Sequence, residues 1–382
     1  MNVVIRLDSL VAPRTGIGYY TEHLTRALLE QTKVSISGVF DGQRVDGAEL
    51  QALLADPGET SALSAPGFVA RLKPWLRSVP GAYPLRQYFR DRRSTRAAVG
   101  AEIYHEPNFV PFPFSGKTVL TIHDLSHLRH PEYHPPERVR FLERYLPVAV
   151  NSAAAIIADS RFTADEISEY FPNAENKVFP VHLGVEESLA QEEAETVRSV
   201  LSHYGLPFKS YILSIATLEP RKNLAGLVRA YRKLPSAIQA EMPLVLVGGA
   251  GWKNDELQAL LKEQSTKGRV MLIGRVPRRD LASLLCGARL FAYPSFYEGF
   301  GLPIAEARAC GTPILTTSYG AMAEVAGDQA CLVHPDELPE GLHQALLTLP
   351  ESVEPFRYCW QETARQTLTV YEAAGRAVGN ES

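Results

Sequence analysis

Tyr211-Ile-Leu-Ser-Ile-Ala-Thr217-Leu-Glu-Pro-Arg-Lys-Asn223 opens as an apolar run, breaks at a proline and passes into an amphipathic stretch ending near Leu234. A short apolar run that yields through a turn to a helical period is the unit of a parallel sheet. The unit repeats downstream. Strands are predicted over Pro243–Gly249, Val270–Ile273, Leu290–Pro294 and Pro313–Thr317, and helices over Asn254–Gln264, Arg279–Cys286 and Leu302–Cys310. Strands alternating with helices predict an α/β, doubly wound domain that binds ligands outside the carboxyl ends of its strands.

The same alternation runs upstream. Asn2–Leu7, Val34–Phe40, Glu102–His105, Thr118–His123 and Ala154–Asp159 read as strands, and Ile17–Gln31 as an amphipathic helix. The stretch 41–100 fits less well. It carries Pro57, Pro66, Pro74, Pro80 and Pro84 and reads as helices and loops at the domain edge. The alternation pauses at Val181-His-Leu-Gly-Val185. We therefore divide the chain into a first domain at 1–185 and a second at 186–355. The helical tail 356–382 crosses back onto the first domain. A chain of 382 residues accommodates two such domains, and a core of that size needs no disulfide or metal staple.

The net charge of −4 gives no global electrostatic case for nucleic acid. Cys286, Cys310, Cys331 and Cys359 lack C-x-x-C spacing and read as buried, reduced thiols of a cytoplasmic protein. Arg6 and Asp8 interrupt the opening apolar run, unlike a signal peptide. No apolar run reaches the roughly 18 residues that a membrane span needs, so none is expected.

Four strand ends carry the polar groups. Gly16-Ile-Gly18 follows the first strand, and glycines there let backbone amides approach a phosphate or a sugar. Thr21 stands where a dinucleotide fingerprint needs its third glycine, which weakens an NAD reading. His123 ends an apolar strand and faces the expected cleft, with Asp124 placed to cap or fix the next turn. Arg221 and Lys222 sit where a strand gives way to a helix that Asn223 can cap; two cations at a helix start suit a diphosphate. Last comes Ser295-Phe-Tyr-Glu298-Gly-Phe-Gly-Leu-Pro-Ile-Ala-Glu306. Pro303 suits a first helical turn, Gly299 and Gly301 allow close backbone approach to a ligand, and the amides of Phe300, Gly301 and Leu302 can face a phosphate. Glu306 is suited to accept from a diol such as ribose, and Glu298 lies nearer the sugar.

Taken together, Glu298-x7-Glu306, Glu219-Pro-Arg-Lys-Asn223, Ile122-His-Asp124 and Gly16-x-Gly18 resemble family 4 of the retaining glycosyltransferases. The resemblance implies the GT-B fold: two Rossmann-like domains facing across a cleft, with a C-terminal helix crossing back. It implies that Lys222, helped by Arg221, binds the donor diphosphate. Glu306 would bind the ribose, Glu298 the transferred sugar, and His123 that sugar near its far hydroxyls. Gly16 and Gly18 would lie under the diphosphate or the acceptor. Gly274-Arg275-Val276 would line the nucleobase pocket, and Ser160-Arg-Phe162 the cleft edge. Many members carry an arginine five positions before the lysine; here Thr217 stands there, and Arg221 is the natural substitute.

The chain holds no D-x-D, so the resemblance implies a metal-independent enzyme without a cofactor, the nucleotide sugar being substrate. Similar sequences act in bacterial O-antigen assembly, often on GDP-mannose or GDP-rhamnose, with a lipid-diphosphate saccharide as acceptor at the inner face of the cytoplasmic membrane. Arg71, Lys73, Arg77, Arg86, Arg90, Arg92, Arg93 and Arg96, interleaved with Phe68, Trp75, Tyr83, Tyr88 and Phe89, suit an anionic lipid surface. Two rivals share the fold: a nucleotide-sugar epimerase, which reacts without acceptor, and a non-catalytic sugar-nucleotide-binding subunit.

Overall fold

The computed structural model describes residues 1–11, 16–55, 82–249, 251, 254–265 and 269–376, without the side chains of 82–89, 264 and 265. It contains two parallel α/β domains. The first sheet has the order β3-β2-β1-β4-β5-β6-β7, built from β1 (Asn2–Arg6), β2 (Ser35–Phe40), β3 (Gln43–Val45), β4 (Ile103–Glu106), β5 (Lys117–Ile122), β6 (Ala155–Ala158) and β7 (Val178–Pro180). The second has the order β10-β9-β8-β11-β12-β13, from β8 (Ile212–Ile215), β9 (Leu244–Val247), β10 (Val270–Gly274), β11 (Leu290–Tyr293), β12 (Ile314–Thr317) and β13 (Cys331–Val333). Every central strand is buried on both faces, as helices on both sides of a parallel sheet require.

Three strands were not expected: β3, β7 and β13. Each spans three residues, too short for a periodicity to register, and each lies at or next to a sheet edge. β3 pairs antiparallel with β2 through a tight turn at Asp41-Gly42, inside the stretch read as helices and loops. That stretch also holds the helices Gly47–Ala55 and Ala82–Ala97. The helix Ala194–Tyr204 packs on Leu281–Gly287 and so belongs with the second sheet. Among the described residues no helix is long and apolar enough to cross a membrane.

The last helix, Trp360–Arg376, returns to the first domain and packs on Gly16–Leu29 and on β5 and β6. A buried polar chain fixes it there. The Tyr371 hydroxyl lies 2.7 Å from His105 Nδ1, His105 Nε2 lies 2.7 Å from Thr121 Oγ1, and Thr121 Oγ1 lies 3.0 Å from the Tyr20 hydroxyl. Burial lowers the His105 pKa to about 3, so the ring is neutral and bonds as one donor and one acceptor. Tyr371→Phe strips one nitrogen of its buried partner. We expect a loss of about 1–3 kcal/mol in urea-unfolding stability; an unchanged midpoint would mean the bond does not hold the helix.

Candidate functional site

β8 has β9 on one side and β11 on the other, so the turns that follow β8 and β11 emerge side by side at the carboxyl edge. Crevices form at such switch points. Glu219–Lys222 comes from one turn and Ser295–Glu298 from the other, and they meet in one buried cluster. Glu298 Oε1 accepts from Lys222 Nζ at 2.6 Å, Ser295 Oγ at 2.6 Å and the Tyr293 hydroxyl at 3.0 Å. Glu298 Oε2 accepts from Arg221 Nη1 at 3.0 Å. Arg221 also donates to Glu219 Oε1 at 3.0 Å and to the Tyr297 carbonyl at 2.8 Å.

Burial by itself would lift the Glu298 pKa; Arg221 and then Lys222 overcome this and hold it below the ordinary carboxylate range. Burial, and Arg221 alongside, pull the Lys222 ammonium below its ordinary value, against Glu298 and Glu219. Two buried cations are thus matched by two carboxylates. Removing one partner from such a cluster leaves an uncompensated charge. Anything that draws Glu298 away must therefore bring negative charge of its own.

Asn223 departs from the expected helix cap. It follows the short turn Pro220–Lys222 in the left-handed conformation, φ 52°, with no side-chain cap bond. A side-chain cap normally needs an extended residue, whereas asparagine tolerates the left-handed region. The turn points Arg221 and Lys222 at Glu298 instead.

The helix Leu302–Ala309 starts behind Gly301, φ 92°, with Pro303 in its first turn. Gly299 lies against the other domain. A Cβ on it would lie 1.6 Å from the His123 carbonyl oxygen. Its own carbonyl accepts from Ser160 Oγ at 2.6 Å and Thr163 Oγ1 at 3.0 Å. Gly299 therefore seats the second domain directly on the first. Phe300 is buried against His182 and Tyr358. Glu324 adds a further tie across the domains, accepting from the amides of Arg161 and Phe162 at 3.0 and 3.1 Å.

Glu306 lies in a second cluster. Its Oε1 accepts from Arg278 Nη2 at 3.0 Å, while Arg278 Nε donates to Glu186 Oε2 at 2.7 Å. Burial raises the Glu306 pKa, against the opposing pull of Arg278. The Arg278 guanidinium also sits 5.0 Å over the ring of Tyr19, in the first turns of the helix that Gly16 and Gly18 open. Arg275 lies against Gly249, and Val276 packs on the core.

His123 has no donor left over for a sugar. Its Nδ1 lies 2.7 Å from Asp159 Oδ2 and its Nε2 lies 2.8 Å from the Pro107 carbonyl. The Pro107 carbonyl accepts from Nε2; with Asp159 ionised Nδ1 donates as well and the ring is an imidazolium, while burial pushes the Asp159 carboxyl above its ordinary value against the pull of His123. Burial opposes the charge, but Asp159 and the Pro107 carbonyl outweigh it and raise the pKa. In this arrangement the ring braces β5 against β6, and the sugar contact expected of His123 would require one of these bonds to open. Asp124 fixes the next turn as expected, its Oδ1 accepting from Ser126 N at 3.0 Å and Ser126 Oγ at 2.6 Å.

Asp159, Arg278, Glu186 and Tyr293 were not singled out from sequence. Asp159 had a signal, since it ends the run Ala154-Ala-Ile-Ile-Ala158 as His123 ends its own, on the neighbouring strand. Arg278 and Glu186 had none, because their partners come from distant segments. The charge on His123 contributes stability in full below about pH 6.5, its unfolded value, and loses it as pH rises through the raised folded value. The stability gap between the native chain and His123→Gln should therefore shrink as pH rises above about 6.5; a constant gap would contradict a charged ring.

Residues 14–189 match the description Glycosyltransferase Family 4, and residues 207–367 match Glycosyl transferases group 1. The O-antigen chain mannosyltransferase B of Escherichia coli is 31% identical over 97% of this chain and 100% of its own length. The serotype-specific mannosyltransferase WbdA of Escherichia coli is 32% identical over 59% of this chain and 28% of its own length. Among solved structures, HepE of Anabaena in complex with UDP and glucose aligns with TM-score 0.63 at 16% identity, covering 98% of this chain and 95% of that one. WaaG, a glycosyltransferase involved in lipopolysaccharide biosynthesis, aligns with TM-score 0.62 at 15% identity, covering 99% and 100%. At such identities the likeness is one of fold. With two family descriptions spanning both sheets and a relative that aligns along nearly the whole chain, the protein belongs to the family 4, group 1 glycosyltransferases of GT-B fold.

Proposed function

We propose that the protein is a retaining, metal-independent hexosyltransferase that moves mannose, or the related rhamnose, from a GDP-sugar onto a lipid-diphosphate-linked saccharide in O-antigen assembly. The observation that carries the chemistry is the Glu298 carboxylate forked onto Lys222 and Arg221. A nucleotide diphosphate brings the charge needed to replace it. Charge-assisted bonds from a lysine and an arginine then stabilise the leaving diphosphate, a task that a metal held by D-x-D performs in other transferases. Likeness over 97% of the chain to an O-antigen chain mannosyltransferase supports mannose as the sugar.

Glu298 is an unsuitable nucleophile. Double displacement needs a carboxylate on the face opposite the leaving group, whereas Glu298 shares the cations assigned here to the diphosphate. This favours front-face substitution. The departing phosphate oxygen takes the acceptor hydroxyl proton as the C–O bond to phosphate breaks, and the acceptor oxygen bonds to the sugar on the same face. Glu298, once released, accepts from hydroxyls of the transferred sugar. Glu306 accepts from the ribose diol after Arg278 yields, and the amides opening Leu302–Ala309 meet the diphosphate.

Arg92, Arg93 and Arg96 are exposed on the helix Ala82–Ala97, which supports a peripheral contact with anionic lipid at the inner face of the cytoplasmic membrane. Phe68, Arg71, Lys73, Trp75 and Arg77 lie outside the described residues, as do the side chains of Tyr83, Arg86, Tyr88 and Phe89.

Among nucleotide sugars, GDP-mannose should raise the melting temperature most. Glu298→Ala should keep that rise while turnover falls about a hundredfold or more, and Lys222→Ala should abolish the rise. A covalent glycosyl adduct on Glu298 would refute the front-face route. In vesicle flotation the chain should bind anionic liposomes and release in high salt; absence of binding at any salt would remove the membrane contact.

A further inference from the structure

A cavity of about 330 Å³ reaches Glu298 from between the turn Arg129–Tyr133, the helix Arg161–Tyr170, the loop Phe296–Glu298 and the start of the helix Gly320–Ala326. Two other cavities, of about 270 Å³ each, are not lined by Glu298. The Glu298 cavity is walled by both domains and has an unusual lining: Tyr133, Phe162, Phe296, Tyr297 and Tyr319 all contribute. The rings are mutually braced. Phe162 meets Tyr297 edge-on at 5.9 Å, and His130 stacks on Tyr133 at 5.4 Å and meets Tyr297 at 5.4 Å. Tyr319, at 40% exposed, leaves its ring open to solvent.

The ionisable groups set among the phenyl and phenol rings are Arg129, His130, Glu166 and Glu298. Arg129 Nε donates to Glu166 Oε1 at 2.7 Å, and the Tyr297 hydroxyl donates to the other oxygen of Glu166. The lining therefore carries two carboxylates, one guanidinium and one imidazole. That balance leaves no excess of cations for an anion, and the cations suited to a diphosphate, Arg221 and Lys222, do not line the cavity. A neutral ring with apolar C–H faces and a rim of hydroxyls fits both features. Aromatic faces cover the C–H faces, and carboxylates accept from hydroxyls. The volume is at the low end for ligand pockets, which run from roughly 300 to 1,000 Å³, enough for about one or two sugar rings.

We propose that this cavity is a saccharide subsite that holds the terminal sugar of the acceptor beside the sugar carried on the donor, with Glu298 as the shared wall. The assignment to the acceptor rests on the transferase reading; the saccharide chemistry of the cavity does not.

The test titrates α-linked mannobiose against the full chain by calorimetry, with GDP-induced stabilisation measured in parallel. Tyr133→Ala and Tyr319→Ala should each weaken mannobiose binding about tenfold and leave the GDP-induced melting shift unchanged. Tyr133→Phe and Tyr319→Phe keep the rings and should retain binding. Unchanged mannobiose affinity in both alanine variants overturns the subsite, as does parallel loss of GDP and mannobiose. A native chain that transfers sugar with an acceptor KM unaffected by both alanine variants also overturns it, while the transferase reading survives. A native chain that binds mannobiose in a tyrosine-dependent way but transfers sugar from no nucleotide donor upholds the saccharide cavity and sinks the transferase reading.

Discussion

Two cations and a carboxylate that cannot part without a replacement anion set the terms for the site. Glu298 bonds Lys222 at 2.6 Å and Arg221 at 3.0 Å where water has little access. The arrangement follows from sheet topology. Because β8 and β11 are neighbours though distant in sequence, the turn after each must end beside the other. Burial makes the cluster costly to break and simple to exchange: an incoming dianion replaces the negative charge that Glu298 withdraws, with Glu219 still in place. The same exchange frees a carboxylate at the point where a transferred sugar would lie.

The domain contact depends on equally local chemistry. Gly299 has no side chain, so the loop carrying Glu298 rests on the His123 carbonyl. His123 in turn is held by Asp159 and Pro107, which keeps the edge formed by β5 and β6 rigid beneath that loop. The Tyr297 hydroxyl accepts from the Leu125 amide at 2.9 Å and donates to Glu166, which is bound to Arg129. One short loop thereby links the anion cluster, the interdomain seat and the aromatic cavity.

Much of this was legible in the sequence, and the reason is physical. Strands buried on both faces read as short apolar runs, so the paired sheets and the tail crossing back are legible in the chain itself. Groups at strand ends were accessible too: Arg221, Lys222, Glu298 and Glu306 sit where parallel sheets place ligand-binding groups. What could not be read was pairing between distant segments. Nothing in Pro277-Arg278 announces Glu306 and Glu186 as partners, and nothing near His123 announces Pro107. At Gly299 the missing Cβ admits the other domain's backbone, a contact that sequence position does not announce.

The most direct measurement is a structure of the chain with GDP bound. Exchange of one anion for another predicts Lys222 and Arg221 on the diphosphate oxygens, with Glu298 turned away from both. A diphosphate bound elsewhere, with the contacts of Glu298 to Lys222 and Arg221 intact, would contradict it.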